Sequence, residues 1–168
     1  VGAPRVTQVA IDPDDTRVIW AGIEVDGILR SLDGGDSWTR IAIPDDDIHS
    51  IVVNKSDQKR VLALTPRDLY VSTDMGESWD TMGTKRFANK DNHGSYQRLI
   101  VQKPDDHRIM FMGTGNFNVG SAGNIFRSTD AGRTWKNVKL PNYTNSTVFG
   151  LHINPANTDR VVANSCNG

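Results

Sequence analysis

Ser31-Leu-Asp-Gly-Gly-Asp-Ser-Trp38 is one of three octapeptides of the form Ser-x-Asp-x-Gly-x-Ser/Thr-Trp in this chain. The others are Ser72-Thr-Asp-Met-Gly-Glu-Ser-Trp79 and Ser128-Thr-Asp-Ala-Gly-Arg-Thr-Trp135. Three of the chain's four tryptophans close these boxes. An Asp side chain accepts hydrogen bonds from backbone N–H groups a few residues on, and the Gly that follows takes a positive φ without steric cost. Ser31, Ser72 and Ser128 add a hydroxyl, and the indoles of Trp38, Trp79 and Trp135 are large enough to wedge between sheets. The box therefore reads as a hairpin lock, with Asp33, Gly35, Asp74, Gly76, Asp130 and Gly132 in structural rather than ligand-binding roles.

Each box ends a longer repeating unit. An apolar segment opens it (6–11, 48–53, 96–101), and a polar turn and Arg17, Arg60 or Arg108 lead into a second apolar run. A third short run enters the box at 28–30, 69–71 and 125–127, and a fourth leaves it, as in 38–43. Short β-branched and aromatic runs between Gly, Pro and Asp turns are strands, and no segment sustains a helical period. The box aspartates, at 33, 74 and 130, lie 41 and 56 residues apart, and a repeat of roughly 40 to 50 residues with four strands is the period of a propeller blade, the longer loops of the second and third units accounting for the wider interval. The expected architecture is an all-β propeller of four-stranded antiparallel blades at about 6–43, 48–83 and 96–140, with half of a fourth at 148–168. Such an arc of three and a half blades is expected to be truncated, and its open sheet faces to meet further blades or a second copy.

The octapeptide resembles the Asp-box, or BNR repeat, of the sialidase-like propeller superfamily, matched three times in register across nearly the whole chain. The compact blade, with Asp-Pro before the second strand, is similar to sortilin-type receptor propellers, xyloglucanase-type glycoside hydrolases, photosystem assembly-factor propellers and bacterial BNR-repeat proteins. The resemblance implies boxes between third and fourth strands on the rim away from the ligand, and a functional face built from the other loops.

In a four-strand meander those loops are the second-to-third turns (23–26, 65–68, 113–123) and the links between blades (44–49, 83–94, 141–146). Long loops on a rigid scaffold carry binding. Glu24, Asp26, Arg67, Asp68, Asp91, His93 and Tyr96 are expected to converge there, as a sugar or peptide site needs. In the Gly-rich loop Phe117 offers a stacking face, flanked by the amides of Asn116 and Asn118. His49, His93, His107 and His152 lack zinc-motif spacing, and Asp45-Asp-Asp47 reads as a surface charge run rather than a calcium site, so no metal and no cofactor are expected.

Composition narrows the classes. Nineteen basic against twenty acidic residues give a net charge of −1, which argues against nucleic acid or an anionic membrane as main partner. No run approaches the roughly 18 apolar residues of a membrane helix. Val1-Gly2-Ala3-Pro4 lacks the profile of a signal peptide, so the chain is expected to be soluble and already processed. Cys166 is the single cysteine and forms no internal disulfide.

A glycosidase needs two carboxylates across the scissile bond. Only two glutamates are present, and Glu77 lies in a box, leaving Glu24, Asp26 and Asp91 as catalytic candidates whose partner would lie in further blades. The leading reading is a scaffold that grips a glycan or protein partner through its loop face. The rival is a xyloglucanase- or sialidase-like hydrolase, with this stretch alone inactive, and a third reading is an assembly factor for a membrane complex. Asn142-Tyr-Thr and Asn145-Ser-Thr fit the N-glycosylation pattern. The resemblance implies an extracytoplasmic protein, secreted or periplasmic.

Overall fold

The computed structural model describes residues 3–55, 60–83, 87, 96–140 and 144–167. No α-helix occurs among them, and the chain divides into two compact units, Val1–Met82 and Gly83–Gly168.

The first unit holds two four-stranded sheets. β1 (Arg5–Ile11), β2 (Ile19–Glu24), β3 (Gly27–Ser31) and β4 (Thr39–Ile41) form one antiparallel meander in chain order. β5 (Ser50–Val53), β6 (Val61–Leu64), β7 (Leu69–Ser72) and β8 (Asp80–Thr81) form the next. Their apolar faces share one core, in which Trp20, Ile28, Ile48, Ile51, Val61 and Ala63 are fully buried. Strands β5, β6 and β7 are buried at every position, as their unbroken runs Ser50-Ile-Val-Val and Val61-Leu-Ala-Leu require. The large wedge in this core is Trp20, which belongs to no box: its ring meets Gly76 of the second box, and the Arg30 guanidinium lies 5.5 Å from the ring centroid. The box residue Trp38 is instead 42 % exposed.

The second unit repeats the pattern once and begins it again. β9 (Tyr96–Gln102), β10 (Met110–Gly115), β11 (Gly123–Ser128) and β12 (Lys136–Asn137) make a third meander. β13 (Val148–Ile153) pairs with β14 (Val161–Ser165) alone. Ile125, Val148 and Leu151 centre its core, with Leu99, Val101 and Phe111 packed around them. Phe87 lies edge-on to Phe126, ring centroids 5.2 Å apart.

The three boxes fold alike. Each serine Oγ accepts from the N–H of the box glycine, Gly35, Gly76 or Gly132, at 2.9, 2.7 and 2.9 Å. The same hydroxyl donates to Oδ1 of Asp33, Asp74 or Asp130. Each aspartate also accepts the backbone N–H and the hydroxyl of Ser37, Ser78 or Thr134. These hydrogen bonds, led by the Ser37 and Ser78 hydroxyls, draw Asp33 and Asp74 down to about 2. Burial pushes Asp130 the other way, yet the bonds from Thr134 and Ser128 still leave it lowered. In the first and third boxes the indole N–H closes on the turn's own carbonyl, Trp38 on Gly35 and Trp135 on Gly132.

One alignment of the repeats shifts by a residue. Arg17 and Arg108 stand two residues before β2 and β10, exposed and ion-paired to Asp15 and Asp106. Their carbonyls accept from the N–H of Gly34 and Ala131, tying turn to box. Arg60 and Arg160 stand one residue before their strands, and their carbonyls close the turn by accepting from Asn54 and Asn154 N–H, the place that Val18 and Ile109 fill for Asp12 and Lys103. The arginines at the four second strands are therefore two kinds of position rather than one.

Candidate functional site

The end of the first unit opposite its boxes is built from the β2–β3 turn, the segment 44–49 and the β6–β7 turn. Backbone bonds fix these to one another: Gly27 N–H donates to Asp46 C=O at 2.8 Å, Ile48 N–H to Ile23 C=O at 3.3 Å, and His49 N–H to Leu64 C=O at 2.7 Å. Val25, at the tip of the first turn, has φ of 60°, a left-handed conformation that a β-branched residue adopts only under constraint.

Charged side chains gather on this frame. Glu24 pairs with Arg5 at 2.7 Å, Asp26 with Arg40 at 3.0 Å, and Arg67 with Asp45 at 3.5 Å. Asp68 accepts the Leu69 N–H and the Thr81 hydroxyl, which holds it within its own hairpin. His49 has its side chain almost wholly buried, with Nε2 3.7 Å from Asp47 Oδ1. Burial raises the Asp47 carboxyl above the usual range, and the charges of Glu24 and Asp45 add to this while His49 and Arg67 oppose it. Burial, with the Asp45 and Asp68 charges, likewise raises the nearby Tyr70 hydroxyl. Glu24, Asp47 and His49 present one metal-ligating atom each, all within 4.8 Å of one another.

Of the residues singled out in the sequence, Glu24, Asp26, Arg67 and Asp68 lie at this end of the first unit. Sequence reasoning passed over Asp47 and His49, although assigning the 44–49 link and the 23–26 turn to the same end of the meander was the signal that could have joined them. Asp91 and His93 lie outside the described residues. In the second unit Tyr96 opens β9, half-buried and opposite Gly115.

The β10–β11 loop carries the other candidates. Asn116 Oδ1 accepts the N–H groups of Ser121 and Ala122 at 2.9 and 3.3 Å, and Nδ2 donates to Ser121 Oγ. Thr147 clamps the far side, its hydroxyl donating to Phe117 C=O and its N–H to Val119 C=O. Gly120 completes the turn at φ of 67°. Phe117 projects from this frame 72 % exposed, next to Asn118 and to Val119, which is 45 % exposed.

Four-stranded antiparallel meanders, each closed by an Asp-box, define this protein as a sialidase-like β-propeller. The chain belongs to the Sortilin-Vps10 family, described as sortilin, neurotensin receptor 3, whose model matches residues 26–118, more than half of its length. It is similar to a vacuolar protein sorting/targeting protein 10 of Verticillium alfalfae, 28 % identical over 102 residues, 60 % of this chain and 7 % of that protein. Among solved structures, an ancestral GH74 enzyme superposes with a TM-score of 0.79 at 20 % identity, over 98 % of this chain and 22 % of the other. YCF48 bound to a D1 peptide superposes with a TM-score of 0.61 at 18 % identity, over 96 % of this chain and 46 % of the other. The chain thus spans a small part of the curated relative and less than half of either structure's chain.

Proposed function

We propose that this chain is a binding module that holds a peptide segment of a protein partner against the β10–β11 loop, with Phe117 as the apolar anchor and Val119 and Asn118 beside it. The observation that carries the reading is the rigid presentation of an exposed aromatic. Phe117 contributes little to the core, yet the Asn116 cap and the Thr147 clamp hold its loop in one shape, which lowers the ordering cost of binding. Aromatic anchors with adjoining apolar surface suit a peptide side chain.

Asn116 argues for peptide over glycan. Its amide is engaged within the loop, so the pair of flanking amides that a sugar ring would use is reduced to Asn118. Family membership and the peptide-bound YCF48 neighbour support a protein ligand; an extracytoplasmic location, in keeping with the sorting role in the fungal relative's name, is part of the proposal.

A hydrolase is the second reading, favoured by the Asp47 carboxyl, which burial raises above its usual range and which lies beside Glu24 and His49 at the loop end of the first unit. Glu24 and Asp26 suit a catalytic role less, because each carboxylate is taken up in an ion pair, Glu24 with Arg5 and Asp26 with Arg40.

The test is selection from a displayed random peptide library on the 168-residue chain, followed by titration of the selected peptides and of xyloglucan oligosaccharides. Phe117→Ala is expected to weaken peptide binding tenfold or more, and the oligosaccharides to bind negligibly. Tight oligosaccharide binding, or peptide binding untouched by Phe117→Ala, would overturn the reading. Hydrolysis of the oligosaccharides, lost in Asp47→Asn, would favour the second.

A further inference from the structure

We infer, resting on the peptide reading for what delivers the group, that the second unit receives an acidic side chain of its ligand at Arg98, an arginine stacked on Phe149 at the end that carries the β10–β11 loop. Both residues stand at irregularities of edge strands. Gln97 and Leu99 of β9 pair with Thr114 and Gly113, so Arg98 between them has no opposite number on β10. Phe149 is skipped in the same way between Val148 and Gly150 of β13. A bulge re-aims the side chain it carries. β9 and β13 are each an edge strand of their sheet, and the Arg98 guanidinium lies 4.8 Å from the Phe149 ring centroid.

Arg98 carries an uncompensated charge. Among the described residues at this end of the unit, 96–98, 113–123, 144–149 and 163–167, no other side chain is charged. The four aspartates of 96–168, Asp105, Asp106, Asp130 and Asp159, lie in turns on the box side, where Lys103, Arg108 and Thr134 engage them. Arg98 is half-buried, and beyond the Phe149 ring its guanidinium makes neither a hydrogen bond nor an ion pair among the described residues. A guanidinium shielded in this way lacks both full hydration and a counter-charge, so an anion that reaches it gains more than it would at an open surface. Stacking takes one face of the plane and leaves the N–H groups along its edge for a bidentate carboxylate.

Position ties the pair to the Phe117 loop. Thr147, whose hydroxyl holds the Phe117 carbonyl, stands two residues before Phe149, roughly 7 Å along the strand. An extended peptide seated on Phe117 therefore brings a side chain roughly two to four residues away within reach of Arg98. The chemistry selects a side-chain carboxylate. A peptide C-terminus is captured by a nest of backbone N–H groups, and here those of Asn116, Ser121, Ala122, Gly123 and Thr147 are engaged within the loop and its clamp. A phosphate calls for a cluster of arginines, and the described residues at this end hold one. The single fork matches one carboxylate of Asp or Glu.

The first measurement needs no peptide. The arginine-labelled 168-residue chain is titrated with N-acetylglutamate amide, and separately with its glutamine analogue, while the arginine side-chain N–H signals are followed by NMR. A saturable shift of the Arg98 signal is expected with the glutamate probe alone, with Arg127, exposed and 6.0 Å from the Phe111 ring centroid, unmoved. The assignment fails if Arg98 does not respond, responds equally to the glutamine analogue, or moves no more than Arg127. The second measurement uses the peptides selected on the parent chain. They should carry Asp or Glu near an apolar residue. Asn or Gln in its place should weaken binding about tenfold or more on the parent, and by less than about threefold on Arg98→Gln. Amidation of the peptide C-terminus should change nothing. Selected peptides without an acid, an equal loss on Arg98→Gln, or a dependence on the C-terminus instead would overturn the assignment and leave the Phe117 anchor standing. Peptide binding untouched by Phe117→Ala would sink the peptide reading, and the glutamate titration would still decide Arg98. That titration uses the parent chain, so a folding defect in Arg98→Gln leaves the decision with it.

Discussion

Replacing the box serines by alanine should produce a graded loss of stability that follows the burial of one N–H group. Ser72 is 1 % exposed, and its Oγ accepts from the buried Gly76 N–H at 2.7 Å and from Asp74 N–H at 3.3 Å. Ser72→Ala removes that acceptor, and the N–H of Gly76, a buried residue whose Cα faces the Trp20 ring, is left without a partner or a route to water. A buried donor stranded in this way costs about 1 to 3 kcal/mol. Ser128 is placed in the same way against a buried Gly132, so Ser128→Ala belongs in the same range. Gly35 is only half-buried, so water reaches its N–H when Ser31 is replaced, and the cost should fall to about 1 kcal/mol or less. For a chain of this size each kcal/mol is worth about 2 to 4 °C in melting temperature. Urea unfolding followed by circular dichroism and tryptophan fluorescence gives the midpoints. Equal losses for Ser31→Ala and Ser72→Ala, or a loss at Ser72 below about 0.5 kcal/mol, would refute the reasoning, since neither outcome is compatible with a stranded buried donor.

Gly76→Ala should be among the most damaging single changes, because the new Cβ would stand 2.9 Å from the Trp20 ring at a φ of +88°. A loss above about 2 kcal/mol from urea unfolding is expected, against about 1 kcal/mol for Gly34→Ala, which shares the left-handed φ but whose Cβ meets nothing within 4 Å. Val25→Gly should be neutral or stabilising by up to about 1 kcal/mol, because relief of the left-handed strain outweighs the entropy of glycine; a clear loss in melting temperature would contradict it. Asp33 and Asp74 sit at about 2 when folded and near the ordinary carboxylate value when unfolded, so their contribution to stability is full above about pH 4 and lost as pH falls towards 2. Melting temperature should decline across that window, and the Asp33→Asn/Asp74→Asn double variant should decline less steeply.

The strands and the box were legible because both are local. Period-two and apolar runs between turn residues fix strands without knowledge of the tertiary fold, and Ser-x-Asp-x-Gly carries its own hydrogen bonds within eight residues. What the sequence hid depends on contacts between distant segments. Trp20 has no motif around it, and only the approach of the second box shows that it, rather than Trp38, is the buried wedge. The arginines look equivalent in the chain, yet Arg17 and Arg60 occupy different rungs because the preceding turns differ by one residue in where they close. Met75 and Ala131 adopt φ of 62° and 58° where the first box has Gly34, and residue type alone would not assign that conformation. His49 and Asp47 looked like an isolated histidine and a surface charge run, since neither burial nor the neighbouring Glu24 can be read from spacing along the chain. The exposed Phe117 was found from its Gly-rich surroundings, whereas the clamp by Thr147 comes from thirty residues away.

Capture of a peptide at the β10–β11 loop is the central claim, and backbone amide shift mapping tests it directly. With the isotope-labelled 168-residue chain and a peptide selected from the random library, the largest shift changes are expected at 116–122 and at Thr147, with the three boxes at 31–38, 72–79 and 128–135 left in place. Changes concentrated in the boxes, or spread evenly with none at Phe117 and Val119, would contradict it.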